Sequence, residues 1–278
     1  MTLHVIAEIG INHDGSFETA KELIAAAKEA GADSVKLQKR LPKVSVPKAM
    51  WDVPKETPWG DVESYLAYKE HMELSPKQCG DLWRYAKSIG IPLFWSVWDL
   101  PSVDEVLCFE APYIKIPSAK ATDKILLEYV KEQHGKTRII VSTGMCTMDE
   151  VIEIVEYLYD ANPIIMACTS TYPSPKEELN LATVRTYKDL WPDLDIGWSG
   201  HEVGLATTVA TVAMGATFIE RHITLDRSRK GTDHAASVEP NGFRRLIDDA
   251  RAVDAAMGDG VKRVMPGERA PMLKLRGK

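Results

Sequence analysis

Asp-Ile-Gly-Trp-Ser-Gly-His-Glu-Val-Gly-Leu-Ala-Thr-Thr-Val-Ala-Thr-Val-Ala-Met-Gly-Ala-Thr-Phe-Ile-Glu-Arg-His, positions 195–222, reads as strand, helix, strand. The apolar runs 195–199 and 217–222 have strand character, and 204–214 between them is helical. Two strands joined through a helix pair in parallel. An imidazole follows each strand, His201 just past the first and His222 at the end of the second. In a barrel of alternating strands and helices, that spacing brings both rings to one mouth. Imidazole is a good ligand for Mn²⁺-, Fe²⁺- or Zn²⁺-class ions, and an open two-histidine site leaves positions for water and substrate. An enzyme is the first expectation.

The same alternation runs along the whole chain. Strands are expected at 4–8, 33–38, 92–96, 113–117, 138–143, 164–168, 195–199 and 217–222. Helical patterns lie between them, as at 16–30, where Phe17, Ala20, Leu23, Ile24 and Ala27 share one face. The pattern 75–89 opens with Ser75 as N-cap and Pro76 in its first turn. Helices are also expected at 148–160, 204–214 and 241–257. Eight strand–helix pairs imply an α/β fold, a closed (β/α)₈ TIM barrel, for which 278 residues is a suitable length. An open doubly wound sheet is the rival, and no GxGxxG follows the first strand to support it. The barrel is expected to span 1–260 as a single catalytic domain. The remaining 261–278 is basic and rich in Gly and Pro, and reads as a linker-like or extended tail. One connection is long, 39–73 after the second strand. It carries Trp51 and Trp59 and reads as a lid, binding loop or surface flap.

A net charge of −6 and a pI near 5.7 argue against nucleic acid or an anionic membrane as partner. No apolar run approaches the ~20 residues of a membrane span. The N-terminus leads directly into a strand without a signal peptide pattern. Cys79, Cys108, Cys146 and Cys168 lack metal or disulfide spacing, which suits reduced cysteines in a cytoplasmic protein; Cys168, at a strand end, could line a site.

Polar residues gather where the expected strands end, which is the active face of such a barrel. They are Glu8, Lys36 with Gln38, Ser96, Lys115 with Ser118, Ser142 with Thr143, Thr169 with Tyr172, Ser199 with His201, and His222. Lys36 and Lys115 sit inside apolar strands, where an ammonium needs to snorkel or meet an anion. With Ser118, Ser142 and Ser199 they would cradle a phosphate or a phosphate-plus-carboxylate ligand. Each lysine could instead pair with a carboxylate such as Glu8, or form a Schiff base. The turn Ser-Thr-Gly-Met (142–145) leads into a helix whose N-terminus suits an anion. Beside Asp233 and His234, the two histidines favour a metal over structural roles. His13 could contact substrate or cap its loop, whereas His4, His71 and His134 read as structural or solvated.

These residues belong to ordered motifs: Ala-Glu-Ile-Gly-Ile-Asn-His-Asp-Gly (7–15), Val-Lys-Leu-Gln (35–38), Ile-Lys-Ile-Pro-Ser (114–118), Ser-Thr-Gly-Met (142–145), Cys-Thr-Ser-Thr-Tyr-Pro-Ser-Pro (168–175), Gly-Trp-Ser-Gly-His (197–201), and Ile-Glu-Arg-His-Ile-Thr-Leu-Asp (219–226) through Gly-Thr-Asp-His-Ala-Ala-Ser-Val-Glu-Pro (231–240). Over nearly its whole length the chain resembles the catalytic barrel of the sialic acid (N-acetylneuraminate) synthase family. The resemblance implies condensation of phosphoenolpyruvate with a hexosamine or related aldose to a nonulosonic acid, with release of phosphate. It implies that His201 and His222 hold a divalent metal, Mn²⁺ or Mg²⁺. It assigns phosphoenolpyruvate to Lys36, Ser96, Lys115, Ser118, Ser142 and Ser199, and the metal and sugar side to Glu8, Gln38, Tyr172 and Asp233. Glu8 is the candidate to handle the water proton.

Three departures stand beside this likeness. The usual relative carries an antifreeze-like domain after the barrel, which lends an arginine to a partner's sugar site, and this sequence stops at the linker. Lys120 stands where many relatives have glutamate, and Thr232 where they have proline. The first two fall on sugar recognition, so Lys120 is a candidate for acceptor specificity. A homo-oligomer or a separate partner domain remains open. The rival functions are a synthase for a different aldose, disfavoured because no second phosphate site is marked, and a non-catalytic sugar- or phosphate-binding subunit needing a partner.

Overall fold

In the computed structural model, which describes residues 3–277, eight strands close into a parallel barrel. They are β1 (His4–Gly10), β2 (Ser34–Lys39), β5 (Leu93–Val97), β6 (Tyr113–Ile116), β7 (Arg138–Ser142), β8 (Ile164–Cys168), β9 (Asp195–Gly200) and β10 (Phe218–His222). Around the barrel the order is β1-β10-β9-β8-β7-β6-β5-β2, and β2 pairs back to β1. Helices return the chain outside: α1 (Phe17–Ala30), α4 (Pro76–Ser88), α5 (Leu100–Leu107), α6 (Lys124–Gln133), α7 (Met148–Leu158), α8 (Thr183–Leu190), α9 (Ala206–Ala213) and α10 (Pro240–Ala256). The expected (β/α)₈ barrel is therefore the fold.

The strand residues are buried almost without interruption, as in a sheet covered on its outside by helices and filled on its inside by side chains. On α1 the apolar positions Ala20, Leu23, Ile24 and Ala27 are fully buried, and the Ser16 side chain caps the helix by accepting from Thr19 N. Ser75 and Gln78 form a complete capping box at the start of α4. Strand register then sets the polar layer. Glu8 stands opposite Lys36, Ser96 opposite Lys115, and Ser199 opposite Glu220.

Two expectations need correction. The connection 39–73 is no bare loop: it holds the short helix α2 (Pro42–Ser45), an antiparallel hairpin of β3 (Pro54–Glu56) and β4 (Val62–Ser64), and α3 (Tyr65–Met72). Tyr68 and Met72 of α3 pack with Ile11 in a small core apart from the main one. The tail is exposed, as a linker would be, yet it is not extended throughout. It forms α11 (Arg269–Arg276), with Lys278 outside the described residues.

Candidate active site

At the C-terminal ends of the barrel strands lies a cavity of about 180 Å³. Glu8, Lys36, Gln38, Ser96, Lys115, Ser118, Ser142, Tyr172, Ser199, His201 and His222 all line it. Sequence reasoning thus brought together residues spread over more than 200 positions, because every strand of a closed parallel barrel ends at one rim.

One wall is built from charges. Lys36 Nζ lies 3.3 Å from Glu8 Oε2 and 3.1 Å from Glu220 Oε1, and Lys115 Nζ lies 2.6 Å from the same Glu220 oxygen. Ser199 Oγ donates to that oxygen as well, at 3.0 Å. The lysines are thus paired with carboxylates, as one of the alternatives had it. The pairing leaves the site open, since both lysines still face the cavity with the serines. Burial alone would raise the Glu220 carboxyl, but Lys115 and Lys36 hold it well below the usual carboxylate range. Burial pushes the Glu8 carboxyl up to about 7, against the pull of Lys36. It also pushes the Lys115 ammonium down to about 8, against Glu220. Lys36, held by two carboxylates, is raised in spite of burial. Two neighbouring carboxyls are thereby split, one firmly ionised and one titrating near neutrality.

A second wall is hydroxylic. Ser118 Oγ accepts from Gly144 N at 3.1 Å, and Ser142 Oγ is buried without a partner. Gly144 has no room for a side chain: a Cβ there would stand 2.8 Å from Ser118 Oγ and 3.2 Å from Cys168 Sγ, and nearer still to Ser170 Oγ. The hydroxyls of Ser118, Ser142 and Ser170 therefore form this side of the cavity, with Ser142 free to donate to a small anion.

Opposite are the imidazoles. The ring centres of His201 and His222 lie 5.3 Å apart, with Tyr172 at 4.1 Å and 5.8 Å from them. His201 Nδ1 donates to the Thr169 carbonyl at 2.8 Å, so Nε2 is the nitrogen that carries the lone pair in the neutral ring, although, against the effect of burial, Cys168 and the Thr169 carbonyl raise this imidazole. His222 Nδ1 is buried without a hydrogen-bond partner, 3.5 Å from Asp233 Oδ2. Burial drives the His222 imidazole down to about 3, opposed by Asp233, so it is neutral at ordinary pH. Gly10 makes this approach possible with a φ of 57°, since a Cβ there would sit 3.1 Å from the His222 ring. An orphaned neutral imidazole beside a second one with a free nitrogen fits a divalent cation. Among the described residues no group of three or more His, Cys, Asp or Glu is placed to hold a metal, so water or substrate would complete the coordination.

Three sequence candidates lie differently. Asp233 reaches the site through His222 and does not line the cavity. Lys120 pairs with Asp123 at 3.1 Å, outside the lining. His13 takes the loop-capping role, its Nδ1 accepting from Gly15 N at 3.1 Å. Trp98, Met145, Cys168 and Ser170 also line the cavity. The residue that sequence reasoning passed over is Glu220. It is a charge inside an apolar strand, and the rule that singled out Lys36 and Lys115 applies to it equally.

The NeuB family model matches residues 23–262. N-acetylneuraminate-9-phosphate synthase of Homo sapiens is 37% identical over 276 residues, covering 98% of this chain and 76% of that protein. N,N'-diacetyllegionaminic acid synthase of Campylobacter jejuni is 36% identical over 274 residues, 95% of this chain and 80% of that protein. Among solved structures, a putative spore coat polysaccharide biosynthesis protein E from Chromobacterium violaceum superposes with a TM-score of 0.84 at 27% identity, over 99% of this chain and 82% of that one.

Proposed function

The chain belongs to the NeuB family, and from that premise we propose that it condenses phosphoenolpyruvate with a hexosamine or related aldose, giving a nonulosonic (sialic-type) acid and free phosphate. One observation carries this reading: two buried ammonium groups and a set of buried hydroxyls face a pair of imidazoles across a single cavity.

Lys36, Lys115, Ser96, Ser118, Ser142 and Ser199 would hold the carboxylate and phosphate of phosphoenolpyruvate, fixing its carbon 3 toward the imidazole side. Gln38 and Tyr172 would orient the open-chain aldose there, with Asp233 acting through His222. His201 and His222 would hold a divalent ion, Mn²⁺ or Mg²⁺, which when bound supplies Lewis-acid polarisation of a carbonyl. Carbon 3 bonds to the aldehyde carbon, whose oxygen gains a proton. Positive charge developing at carbon 2 is captured by water, with Glu8 taking the water proton, a role suited to a carboxyl near 7. Collapse of the tetrahedral intermediate breaks the carbon 2–oxygen bond and expels phosphate. The protein contributes positioning and fixed charge. All four cysteines are free, which supports a reducing cytoplasmic setting, and no helix among the described residues is long and apolar enough to cross a membrane.

The deciding assay measures phosphate released from phosphoenolpyruvate with Mn²⁺ and a panel of hexoses and N-acetylhexosamines, free and phosphorylated. Acceptor-dependent release is expected. No release with any aldehyde would sink the proposal and favour a binding subunit.

A further inference from the structure

Arg40, the first residue past β2, is buried and does not line the cavity, yet it touches two residues that do. Its guanidinium lies 4.3 Å from the ring centre of Trp98, and its Nη2 donates to Gln38 Oε1. Glu73, at the far end of the long connection, anchors it twice. Arg40 Nε lies 2.9 Å from Glu73 Oε1, and the Arg40 backbone N–H donates to Glu73 Oε2 at 3.2 Å. Beside this clasp Lys39 Nζ donates to the Leu74 carbonyl at 2.8 Å. The connection is thus fastened at its neck, immediately behind Gln38.

These contacts decide which way round the Gln38 amide sits. A side-chain amide has a donor end and an acceptor end of nearly the same shape, and only its partners choose between them. A guanidinium can only donate, so the Gln38 atom facing Arg40 is the carbonyl oxygen. The nitrogen is left for Glu8, and Nε2 donates to Glu8 Oε1 at 3.2 Å. Glu8 alone could not enforce this arrangement, because a carboxyl accepts when ionised and can donate when protonated. Arg40 holds the amide the same way in both cases. One N–H of Gln38 is taken by Glu8, and the second remains to meet an oxygen of a ligand.

We propose that Arg40 is a positioning residue for the acceptor aldose. By holding Gln38 Oε1 it makes Gln38 present N–H to the cavity, so the aldose is received through one of its own oxygens. The inference rests on the aldose-condensing reading of the cavity, with Gln38 on its sugar side, and adds to that reading a group outside the lining. Arg40 follows Lys39 at the start of a loop, where the ordinary reading of a cation is a solvated one, and the strand-end pattern passes over it.

The test removes the guanidinium in the paired variant Arg40→Met/Glu73→Gln, so that no buried carboxylate is left without its partner. The chain's glutamines are Gln38, Gln78 and Gln133, so glutamine-selective ¹⁵N labelling gives one side-chain amide pair for each, and Gln38→Ala identifies that of Gln38. In the parent the two Gln38 amide protons should differ widely in chemical shift, and in the paired variant that difference should fall at least twofold. With phosphoenolpyruvate, Mn²⁺ and N-acetylmannosamine, the paired variant should raise the KM for the sugar about tenfold, as for one lost hydrogen bond, with kcat and the KM for phosphoenolpyruvate within about threefold. The same paired change made on Gln38→Ala should alter the sugar KM by less than about twofold, because the amide it positions is gone. A merely structural role would add the same loss in both backgrounds. An unmoved Gln38 amide pair, or an equal effect with and without Gln38, would overturn the proposal. If no sugar releases phosphate, the condensation reading fails on its own, and the labelled amide still decides whether Arg40 holds Gln38.

Discussion

His13 and His222 are buried by different neighbours to the same effect, and their imidazoles are driven down to about 4 and about 3. In the unfolded chain both titrate near 6.5. Their contribution to stability is therefore complete above about pH 6.5 and is lost as pH falls through that value toward the folded-state pKa, at up to ~1.4 kcal/mol per pH unit for each group. His13 adds a geometric reason, since protonation at Nδ1 would leave the Gly15 amide without its acceptor. His13→Gln is expected to lose less stability than the parent between pH 7 and pH 5, as read from urea midpoints; an identical loss would show that His13 stays neutral for no energetic reason. His222→Ala is expected to cut phosphate release by about 10²-fold or more while the circular-dichroism melt survives, because the packed barrel interior carries the fold. Global unfolding would mark a structural histidine instead. For Lys120, tied to Asp123 at the rim, any influence on the acceptor acts through its field. Lys120→Glu should shift preference toward acetylated amino sugars, and an unchanged acceptor profile removes it from specificity. Residues of this kind were legible where a polar group ends an apolar strand. Lys120 and Asp233 sit on turns, whose side-chain direction no periodicity specifies.

At the scale of elements, legibility followed length and pattern. The strands of the barrel are short apolar runs, and each was read to within a few residues of its observed ends. The hairpin β3–β4 was not legible. Pro54-Lys-Glu56 and Val62-Glu-Ser64 are three residues each, none of them buried, and carry no apolar alternation in sequence. Helix α3 hides likewise, because it buries only a narrow strip against Ile11 and is otherwise mixed in character. Helix α11 contains Pro271 and buries nothing, so composition suggests a linker where the backbone turns helical. The β7–α7 turn shows the opposite case, a segment whose chemistry could be read before its shape. Its Gly144 lies against Ser118, Ser170 and Cys168. Gly144→Ala would press a methyl group into that hydroxyl cluster, with overpacking of about 1–3 kcal/mol. We expect the KM for phosphoenolpyruvate to rise about tenfold, equivalent to ~1.4 kcal/mol. An unchanged KM would mean that the turn does not face the anion.

Closing the barrel has a consequence that no single strand reveals. Lys36 on β2, Lys115 on β6, Ser199 on β9 and Glu220 on β10 are well separated in sequence, yet their polar atoms meet at one carboxylate oxygen. Glu220 is thus the internal counter-ion that allows two ammonium groups to be buried in the barrel, with Glu8 supporting only Lys36 directly. Removing one partner from a buried ion cluster typically costs about 3–5 kcal/mol, because the remaining charges stay desolvated without compensation. Glu220→Gln keeps the shape and one acceptor oxygen but removes the charge, so a loss of roughly 3 kcal/mol in a urea melt is expected. The proposed substrate brings the missing charge back. Phosphoenolpyruvate carries both carboxylate and phosphate, and a ligand that binds only the folded state stabilises it in proportion to ln(1 + [L]/Kd). Saturating phosphoenolpyruvate should therefore raise the melting temperature of Glu220→Gln by more than that of the parent. A variant as stable as the parent would mean that Glu220 does not balance the lysines. Equal stabilisation of both proteins by the ligand would mean that its anionic groups lie away from Lys36 and Lys115, and the assignment of that wall to phosphoenolpyruvate would fall with it.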